Sequence, residues 1–429
     1  MNLTVSSEQR LCLADDGTVW TSGQGGYRFF QRYLDVFDSV RVVARLQRVP
    51  EISPTWIRAN GDRVSFVPVP YYIGPWQYVR KALQIRRLLR NIAGSSEAAI
   101  LRVPSVLATD LVGAFTRVQH PYGVEVLGDP WDVMAPGVVG HPLRPFIRVW
   151  SYRQLKRQCK GACASAYVTK EALQRRYPSS PDAFWVSCSD VELGQEAFVE
   201  HPRNGHFVGR SMTAIMVGSL AQLYKAPDVL IDAIGNCVRN DVDLRLTIVG
   251  DGKYRHELEA RARARGLGDR VKFSGEVPAG HDIRAELDKA DLFVLPSRTE
   301  GLPRAMIEAM ARGLPCIGST VGGIPELLDP EDLVPPNDVQ ALATKLFEVV
   351  ADPGRQARMA ARNLDKARRY HEDVLRKARV RFYRFVKEST ESWMKNRRAA
   401  HGDQCLGVPT HRSNSHPEPL EQDVLVLHE

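Results

Sequence analysis

The sequence predicts an α/β protein built from two doubly wound, Rossmann-like domains. Its 429 residues are well past the length at which a single hydrophobic core stops growing. A strand-then-helix pattern repeats from Thr213 to about Val350 and, less regularly, from about Val19 to Phe198. Glycine-containing turns follow several of the predicted strands, which is typical of open parallel sheets. These observations favour two sheets, each covered by helices.

Residues 1–200 are expected to form the first domain. A glycine-rich turn, Ser22–Gly26, precedes a predicted helix from Tyr27 to Asp35, and its backbone can approach a charged ligand closely. Ordinary turn flexibility would explain the same glycines. The candidate strands are short apolar runs between turn residues: Val40–Ala44, Arg63–Pro68, Ala98–Val103, Val124–Leu127, Ala166–Thr169 and Ala183–Val186.

The linker is placed at His201–Gly209, where polar and turn-forming residues cluster, so residues 201–370 are expected to form the second domain. Its first strand, Ala214–Val217, is followed by Gly218, a loop that contains Lys225, and a helix. A strand, a glycine turn and a helix in this order suit a phosphate group. A solvated loop lysine is the alternative for Lys225.

Two further strands of the second domain end in turns. Arg245–Gly252 ends in Gly-Asp-Gly, and Val271–Val277 has a turn at its carboxyl end. Ligands of open α/β sheets lie beyond the carboxyl ends of the strands, where both turns fall. A lone Gly-Asp-Gly is more often only a turn.

The segment Asp291–Leu328 is the most informative of the chain. A short apolar strand delivers the backbone to a loop, where Gly301 permits close approach to a ligand and Pro303 fits the first turn of a helix. Glu300 lies just before that helix and Glu308 about two turns into it. Free N–H groups and the partial positive charge at the helix N-terminus would hold a diphosphate, while the two carboxylates could accept hydroxyls from two sugar rings.

The end of the chain divides into two parts. From about Pro353 to Trp393 the sequence is helical and charged, with an apolar stripe at helical spacing. Residues 396–429 mix His, Ser, Pro, Gly and charged residues, so a disordered tail is expected there.

The string PSxxEGLPxxxxEAMAxGxP, which contains Glu300 and Glu308 and is followed by GGIPEL, resembles the signature of retaining group 1 glycosyltransferases. The resemblance implies the GT-B fold, in which two Rossmann-like domains face each other across a cleft and the last helix crosses back to the first domain. Residues 371–395 would be this crossing helix and would pack on the first domain. It also implies transfer of a sugar from a UDP- or GDP-sugar, with no further cofactor and no metal required. The alternative is an ordinary doubly wound domain with one solvated and one helix-face glutamate.

The resemblance also implies roles for individual residues. Glu300 would bind the donor sugar and Glu308 the ribose. The remaining donor-site positions that it implies are Gly25 and Gly26 across the cleft, Gly218, Ser219 and Lys225 at the diphosphate, Gly250, Glu276 and Val277 near the base, and Gly301, Leu302, Pro303 and Arg304 at the sugar and diphosphate.

This chain departs from the family pattern at two places. Ser219 stands where members usually carry an arginine that clamps the diphosphate, so the clamp is either weaker or completed by Arg304 or Arg298. No histidine follows the strand at Val124, where the family often presents one to the reacting carbon. Asp129 is the nearest substitute and is predicted to lie beside the acceptor, although an aspartate in a turn before proline is an equally good interpretation.

The composition of the chain restricts the cellular compartment and the classes of binding partner that are expected for it. The seven cysteines are scattered without a Cys-x-x-Cys pair, which favours reduced thiols in the cytoplasm. The polar start of the chain predicts no signal peptide, and no stretch approaches the roughly 20 apolar residues that span a bilayer. The net charge of +8 and two basic, aromatic-containing stretches at Tyr78–Asn91 and Arg144–Lys160 suit an anionic membrane surface, and a solvated basic face is the alternative. Nucleic acid is not expected as a partner, because no nucleic-acid module is recognisable.

Three functional classes remain open at this stage. The first is a glycosyltransferase of surface polysaccharide or glycolipid biosynthesis with a sugar or lipid-linked acceptor. The second is another GT-B enzyme, either a nucleotide-sugar epimerase or a phosphorylase. The third is a nucleotide-sugar-binding protein without turnover, which Ser219 makes conceivable. Fold alone does not separate them.

Overall fold

The computed structural model describes residues 1–21, 25–54, 56–135, 138, 141–205 and 211–406, and for residues 400–406 it describes the backbone alone. The chain forms two α/β domains with mainly parallel sheets, as predicted. No helix among these residues is both long enough and apolar enough to cross a bilayer.

The first domain contains a sheet whose parallel strands run in the order β5-β3-β1-β6-β7-β8-β9, with β2 pairing antiparallel to β1 and β4 pairing antiparallel to β2. Its strands are β1 Leu3–Leu13, β2 Val19–Thr21, β3 Val40–Arg48, β4 Ile57–Arg58, β5 Val64–Pro70, β6 Ala98–Val103, β7 Gly123–Val126, β8 Ala164–Tyr167 and β9 Phe184–Ser187. Its helices are α1 Tyr27–Gln31, α2 Gly74–Ala93, α3 Val106–Arg117, α4 Pro130–Val133, α5 Arg144–Gly161 and α6 Ala172–Arg176.

The second domain has a fully parallel sheet in the order β12-β11-β10-β13-β14-β15. Its strands are β10 Met212–Val217, β11 Leu244–Val249, β12 Val271–Gly275, β13 Leu292–Leu295, β14 Cys316–Ser319 and β15 Leu333–Val334. The helices that follow are α7 Pro227–Arg239, α8 Arg255–Ala264, α9 His281–Asp288, α10 Arg304–Ala311, α11 Ile324–Leu327, α12 Val339–Ala351, α13 Pro353–Arg368 and α14 Glu372–Leu406.

Strand β1 of the first sheet lies outside the alternating pattern that predicts this domain. That pattern begins only at about Val19, whereas β1 begins at Leu3 and pairs with β3 and β6. The strand is missed because it is not a continuous apolar run: Thr4, Ser6 and Ser7 are polar and are buried within it. Thr4 is satisfied by a hydrogen bond from its hydroxyl to Glu97 at 2.7 Å. A polar strand at the centre of a sheet defeats a prediction based on apolar runs.

Helix α14 crosses back to the first domain and completes its core, which confirms the predicted architecture. Phe382, Tyr383 and Val386 are fully buried in a cluster with residues of β1, β3 and β6. A Cβ atom on Gly123 of β7 would lie 2.6 Å from Val386, so the helix rests directly on the strand. The helix continues to Leu406, into the segment predicted to be a tail. The rest of that segment, residues 407–429, lies outside the described residues.

Candidate active site at the switch point of the second sheet

The strand order of the second sheet reverses between β10 and β13, so the loops that follow these two strands diverge and leave a crevice at their carboxyl ends. The loop after β10 starts at Gly218 and contains Lys225. The loop after β13 contains Glu300 and leads into α10. The described geometry thus brings Lys225 and Glu300, distant in sequence, to one point.

Lys225 and Glu300 form a largely buried ion pair, with Nζ to Oε1 at 2.7 Å and side chains 13% and 10% exposed. Burial is the largest single effect and would by itself lower the pKa of Lys225, but the charge and hydrogen bond of Glu300, together with nearby Tyr224, raise that pKa above its usual value. Ser297 donates a second hydrogen bond to the same Oε1 at 2.9 Å. Among the described residues Oε2 of Glu300 has no partner, so it remains able to accept a hydroxyl.

The backbone explains how Lys225 reaches this position. Ala226, which follows it, adopts a left-handed conformation with φ of +54°. The lysine side chain then passes directly over Gly218, where a Cβ atom would collide with its methylene groups. Glycine at 218 is therefore required by the path of Lys225. Ser219 next to it is exposed, and its hydroxyl accepts a hydrogen bond from the Ala221 N–H at 3.2 Å.

The loop from Glu300 to Pro303 is held between the two domains. A Cβ atom on Gly301 would collide with the Leu127 carbonyl oxygen of the first domain. On the other side, the Gly323 N–H donates to the Gly301 carbonyl at 2.7 Å. Leu302 and Pro303 are buried, and Pro303 is the residue that precedes α10. The GGIPEL segment thus supports the loop from below, which fixes the start of α10 at the crevice.

Arg304 and Glu308 lie one turn apart on α10 and have uncommitted side chains. Both are partly buried, and within the described part of the chain neither has a hydrogen bond or ion pair. Burial raises the pKa of Glu308, with Arg304 and Arg284 acting in the opposite direction. A cation and a carboxylate without partners at a helix N-terminus are suited to an anionic ligand that carries hydroxyl groups.

The turns after β11 and β12 adjoin this crevice. Gly250 has φ of +141° and packs against the Gly218 carbonyl, and its N–H donates to Gly275 at 2.7 Å. The next two residues after β12 are Glu276, which is exposed, and Val277, which is half-buried. The sequence-predicted base positions therefore share one rim with Gly218.

The first domain contributes less than the sequence suggested. The close neighbours of Gly25 and Gly26 are Gln9, Ile57 and Arg58, all in the first domain. These contacts leave the predicted roles of the two glycines as predictions.

Asp129 is buried as the N-cap of α4, with its side chain accepting from the Trp131 N–H at 2.9 Å. Both Asp129 oxygens are already engaged. Tyr177 donates to Oδ1 at 2.5 Å, and Arg176 forms an ion pair with Oδ2. Burial raises the pKa of Asp129, and its hydrogen bond from Tyr177 acts in the opposite direction. This geometry describes a structural residue at the edge of the cleft and offers no support for contact with an acceptor.

Arg298 cannot complete the phosphate clamp, contrary to one of the two possibilities drawn from the sequence. Its guanidinium forms two hydrogen bonds with Asp228, at 2.9 and 2.7 Å, and a third with the Leu223 carbonyl at 2.6 Å. It therefore fastens the Lys225 loop to the loop after β13. Of the two arginines considered, Arg304 is the one whose guanidinium has no partner in the part of the chain that the structure describes.

A contact between the domains was not predicted at all. The carboxylate of Glu326, on α11, accepts hydrogen bonds from the backbone N–H groups of Lys170, Glu171 and Ala172 at 2.5, 3.0 and 2.9 Å. It thereby caps the first turn of α6 in the other domain. Glu326 belongs to the GGIPEL string noted in the sequence, but nothing in that string indicates that this residue contacts α6.

Comparison with known proteins agrees with the GT-B fold. Residues 200–366 match the model of the family described as glycosyl transferases group 1. Among solved structures, sucrose-phosphate synthase from Thermosynechococcus elongatus superposes with a TM-score of 0.67 at 18% identity, over 91% of this chain and all of the other. HepE of Anabaena, in complex with UDP and glucose, superposes with a TM-score of 0.63 at 16% identity, over 89% of this chain and 98% of the other.

Sequence relatives agree with this family. Protein CapJ of Staphylococcus aureus is 29% identical over 75% of this chain and 79% of its own length. A GDP-mannose-dependent monoacylated phosphatidylinositol monomannoside mannosyltransferase of Corynebacterium glutamicum is 37% identical over 32% of this chain, which spans only 38% of that relative. The second domain of this chain is therefore similar to the glycosyl transferases group 1 family over residues 200–366, and the two-domain fold matches that of GT-B structures.

Proposed function

We propose that this protein is a glycosyltransferase that moves a sugar from a nucleoside diphosphate sugar to a sugar or lipid-linked acceptor, with retention of anomeric configuration, in surface polysaccharide or glycolipid biosynthesis. The observation that carries the proposal is the Lys225–Glu300 pair at the switch point, beside the uncommitted Arg304 and Glu308. The name of the Corynebacterium relative, which specifies a nucleotide-sugar donor and a glycolipid acceptor, supports it.

The diphosphate would lie between the Lys225 loop and the N-terminus of α10. The Lys225 ammonium has three N–H donors and directs one at Glu300, so others are available for phosphate oxygens. Arg304 adds a second cation and takes over the function of the arginine that Ser219 replaces. Negative charge grows on the diphosphate as the bond to the sugar breaks. These groups therefore stabilise the transition state more than the ground state.

The two glutamates position the donor. Oε2 of Glu300 would accept sugar hydroxyls while Oε1 remains occupied by Lys225 and Ser297, and Glu308 would accept ribose hydroxyls. In the transfer itself, the acceptor oxygen bonds to the anomeric carbon as the bond from that carbon to the phosphate oxygen breaks. The acceptor proton passes to the departing phosphate oxygen, so no protein base is needed.

Thermal stabilisation by ligands tests the donor site. UDP, GDP and their common sugar conjugates would be compared on the wild type, on Glu308→Ala and on Glu257→Ala, an exposed helix glutamate of the same domain that serves as control. A ligand at a hundredfold excess over its Kd adds about 2.7 kcal/mol to the free energy of unfolding. We expect one nucleotide series to stabilise the wild type and the control but not Glu308→Ala.

Product analysis tests the reaction. NMR of the sugar released or transferred should show the anomeric configuration of the donor. An inverted product would contradict retention, and binding without any turnover would indicate a nucleotide-sugar-binding protein. If no nucleotide stabilises the folded wild type, the donor-site proposal is wrong.

A further inference from the structure

Two helices of the first domain expose large apolar side chains with the same spacing. On α2 these are Trp76, Val79 and Leu83, which are 76%, 62% and 74% exposed. At α5 they are Leu143, Phe146 and Trp150, which are 51%, 77% and 47% exposed. The intervals of three and seven residues put each trio on one face of its helix. Isolated exposed apolar residues are common, but two aligned trios are a surface feature that needs a partner.

The two trios lie on the same side of the first domain. Helix α3 lies between α2 and α5: Asp110 of α3 accepts from Tyr78 of α2 at 2.5 Å, and Thr109 of α3 accepts from Gln158 of α5 at 2.8 Å. Each helix connects two parallel strands and therefore runs antiparallel to them. The first halves of α2 and α5, which carry the trios, consequently lie at the carboxyl ends of the strands, on the side of the cleft.

Basic residues surround both trios. Residues 71–96 contain five arginines and lysines and no acid, and residues 142–170 contain seven and again no acid. Of those on the two helices, Arg86 is paired with Asp110. Exposed members without a carboxylate partner in the described residues are Arg80, Arg87, Arg90, Arg153, Lys156, Arg157 and Lys160. An apolar stripe edged by free cations is complementary to lipid chains below anionic headgroups.

We propose that this surface, formed by the exposed faces of α2 and α5, docks on an anionic lipid bilayer with its aromatic and aliphatic side chains at headgroup depth. A second copy of the chain fits poorly, since pairing this surface with itself would bring many unpaired cations together, and interface cores are depleted of charge. The orientation directs the acceptor side of the cleft towards the membrane. This last step rests on the proposed transferase function and implies an acceptor held at the lipid surface, whereas the docking itself does not depend on catalysis.

Vesicle flotation tests the docking with the full-length chain. Phosphatidylcholine vesicles, with and without phosphatidylglycerol, would be compared at increasing NaCl concentration. We expect flotation with the anionic vesicles only, weakened by salt. The triple variant Trp76→Ser/Leu83→Ser/Phe146→Ser should lower partitioning into the vesicles by at least about tenfold, because it removes three large apolar side chains that the lipid would bury.

A matched control removes exposed apolar side chains elsewhere. Trp185→Ser/Phe347→Ser alters residues that are 50% and 53% exposed, and it should float like the wild type. Unchanged melting temperatures would show that both variants fold. Equal flotation of the triple variant and the control, or no preference for anionic vesicles, would overturn the proposal. If the wild type does not bind vesicles but self-associates in sedimentation velocity, and the triple variant does not self-associate, the surface would be assigned to a second copy instead.

The two proposals fail separately. Flotation needs no donor and no acceptor, so a chain that floats but is not stabilised by any nucleotide would retain the docking surface and lose the donor site. A chain that is stabilised by a nucleotide but does not float would support the donor site and contradict the docking surface.

Discussion

At the scale of single residues, the candidate site separates side chains that are used by the fold from side chains that are free for a ligand. Arg298 has its donors committed to Asp228, Leu223 and Asn337, whereas Arg304 has no such partner among the described residues. The two arginines are only six positions apart in the sequence. Their substitution should therefore have opposite consequences.

Arg298→Ala should lower the free energy of unfolding by about 3 kcal/mol, because it leaves the largely buried Asp228 carboxylate unpaired. Arg304→Ala should change it by no more than about 0.5 kcal/mol. It should instead weaken donor binding about tenfold or more, the loss expected for a hydrogen bond to a charged group. Denaturant melts and calorimetric titration measure the two effects, and an unaltered donor affinity in Arg304→Ala would remove it from the phosphate site.

Lys225→Ala should lower kcat about 100- to 1000-fold, as for loss of one donor to a developing oxyanion. The raised pKa keeps Lys225 protonated above neutral pH, so the wild-type rate should not fall between neutral and mildly alkaline pH through loss of this charge. Lys289→Ala, which alters a lysine of the same domain whose side chain is 67% exposed, is the control. A kcat within a few-fold of the wild type would exclude Lys225 from the chemistry.

Glu308 should make donor binding sensitive to pH. Its pKa is raised by burial, so protonation begins at a higher pH than for an exposed glutamate and removes the hydroxyl acceptor. Affinity for the nucleotide sugar, which has no titrating phosphate monoester, should fall as the pH is lowered towards that pKa. Glu308→Gln should bind more weakly and without this pH dependence.

The same shift predicts an effect on stability. The folded state holds the Glu308 proton more tightly than the unfolded chain does, so this carboxyl contributes stability at low pH that is lost as the pH rises through its folded pKa. Glu308→Gln should therefore raise the melting temperature of the ligand-free protein slightly at neutral pH. A lowered melting temperature would show that the carboxylate is stabilised by contacts other than those seen.

At the scale of elements, the segment that begins α11 links the two domains. Helix α6 has no N-cap hydrogen bond from its own N-cap side chain, and the Glu326 carboxylate of the other domain accepts the N–H groups at its start instead. Gly323 also approaches Thr169 of the first domain, with 3.0 Å between its would-be Cβ and the Thr169 methyl group. The loop that supports Glu300 is therefore also a contact that holds the domains together.

Glu326→Ala should lower the free energy of unfolding by about 1 kcal/mol, the usual cost of a lost N-cap. Since the cap joins two domains, it should also increase the radius of gyration measured by small-angle X-ray scattering. Glu257→Ala is the control for removal of a surface charge. An unchanged radius of gyration would mean that the remaining contacts suffice to hold the domains in place.

At the scale of the whole molecule, the first domain depends on the far end of the chain. Phe382, Tyr383 and Val386 of α14 fill its core, and Cys188 donates to the Leu375 carbonyl at 3.4 Å. Two stretches of chain connect the domains, one before β10 and one at the start of α14. The domains should therefore unfold together rather than independently.

Gly123 tests this dependence. Gly123→Ala places a methyl group against Val386 and Phe382, at 2.6 and 3.0 Å, and should cost about 1–3 kcal/mol through overpacking. Gly113→Ala, on the exposed side of α3 with open space around it, should stabilise by about 0.5–1 kcal/mol. Loss of cooperativity in the calorimetric transition of Gly123→Ala would show that α14 can detach alone.

The sequence alone determined most strands of the second domain and singled out the segment that carries the candidate donor site. Strand β13, for example, is a short apolar run that is buried on both faces, so it can be recognised without knowing its neighbours, and the residues from Glu300 to Glu308 are contiguous on one loop and one helix. Contributions that depend on contacts distant in sequence were decided only by the tertiary structure. These are the polar central strand β1, the capture of Arg298 by Asp228, the cap that Glu326 places on α6, and the buried network of Arg32, Arg102, Glu125 and Asp190. A charged or polar side chain has the same letter whether it is solvated or paired, and its partner is fixed by packing that local patterns do not encode.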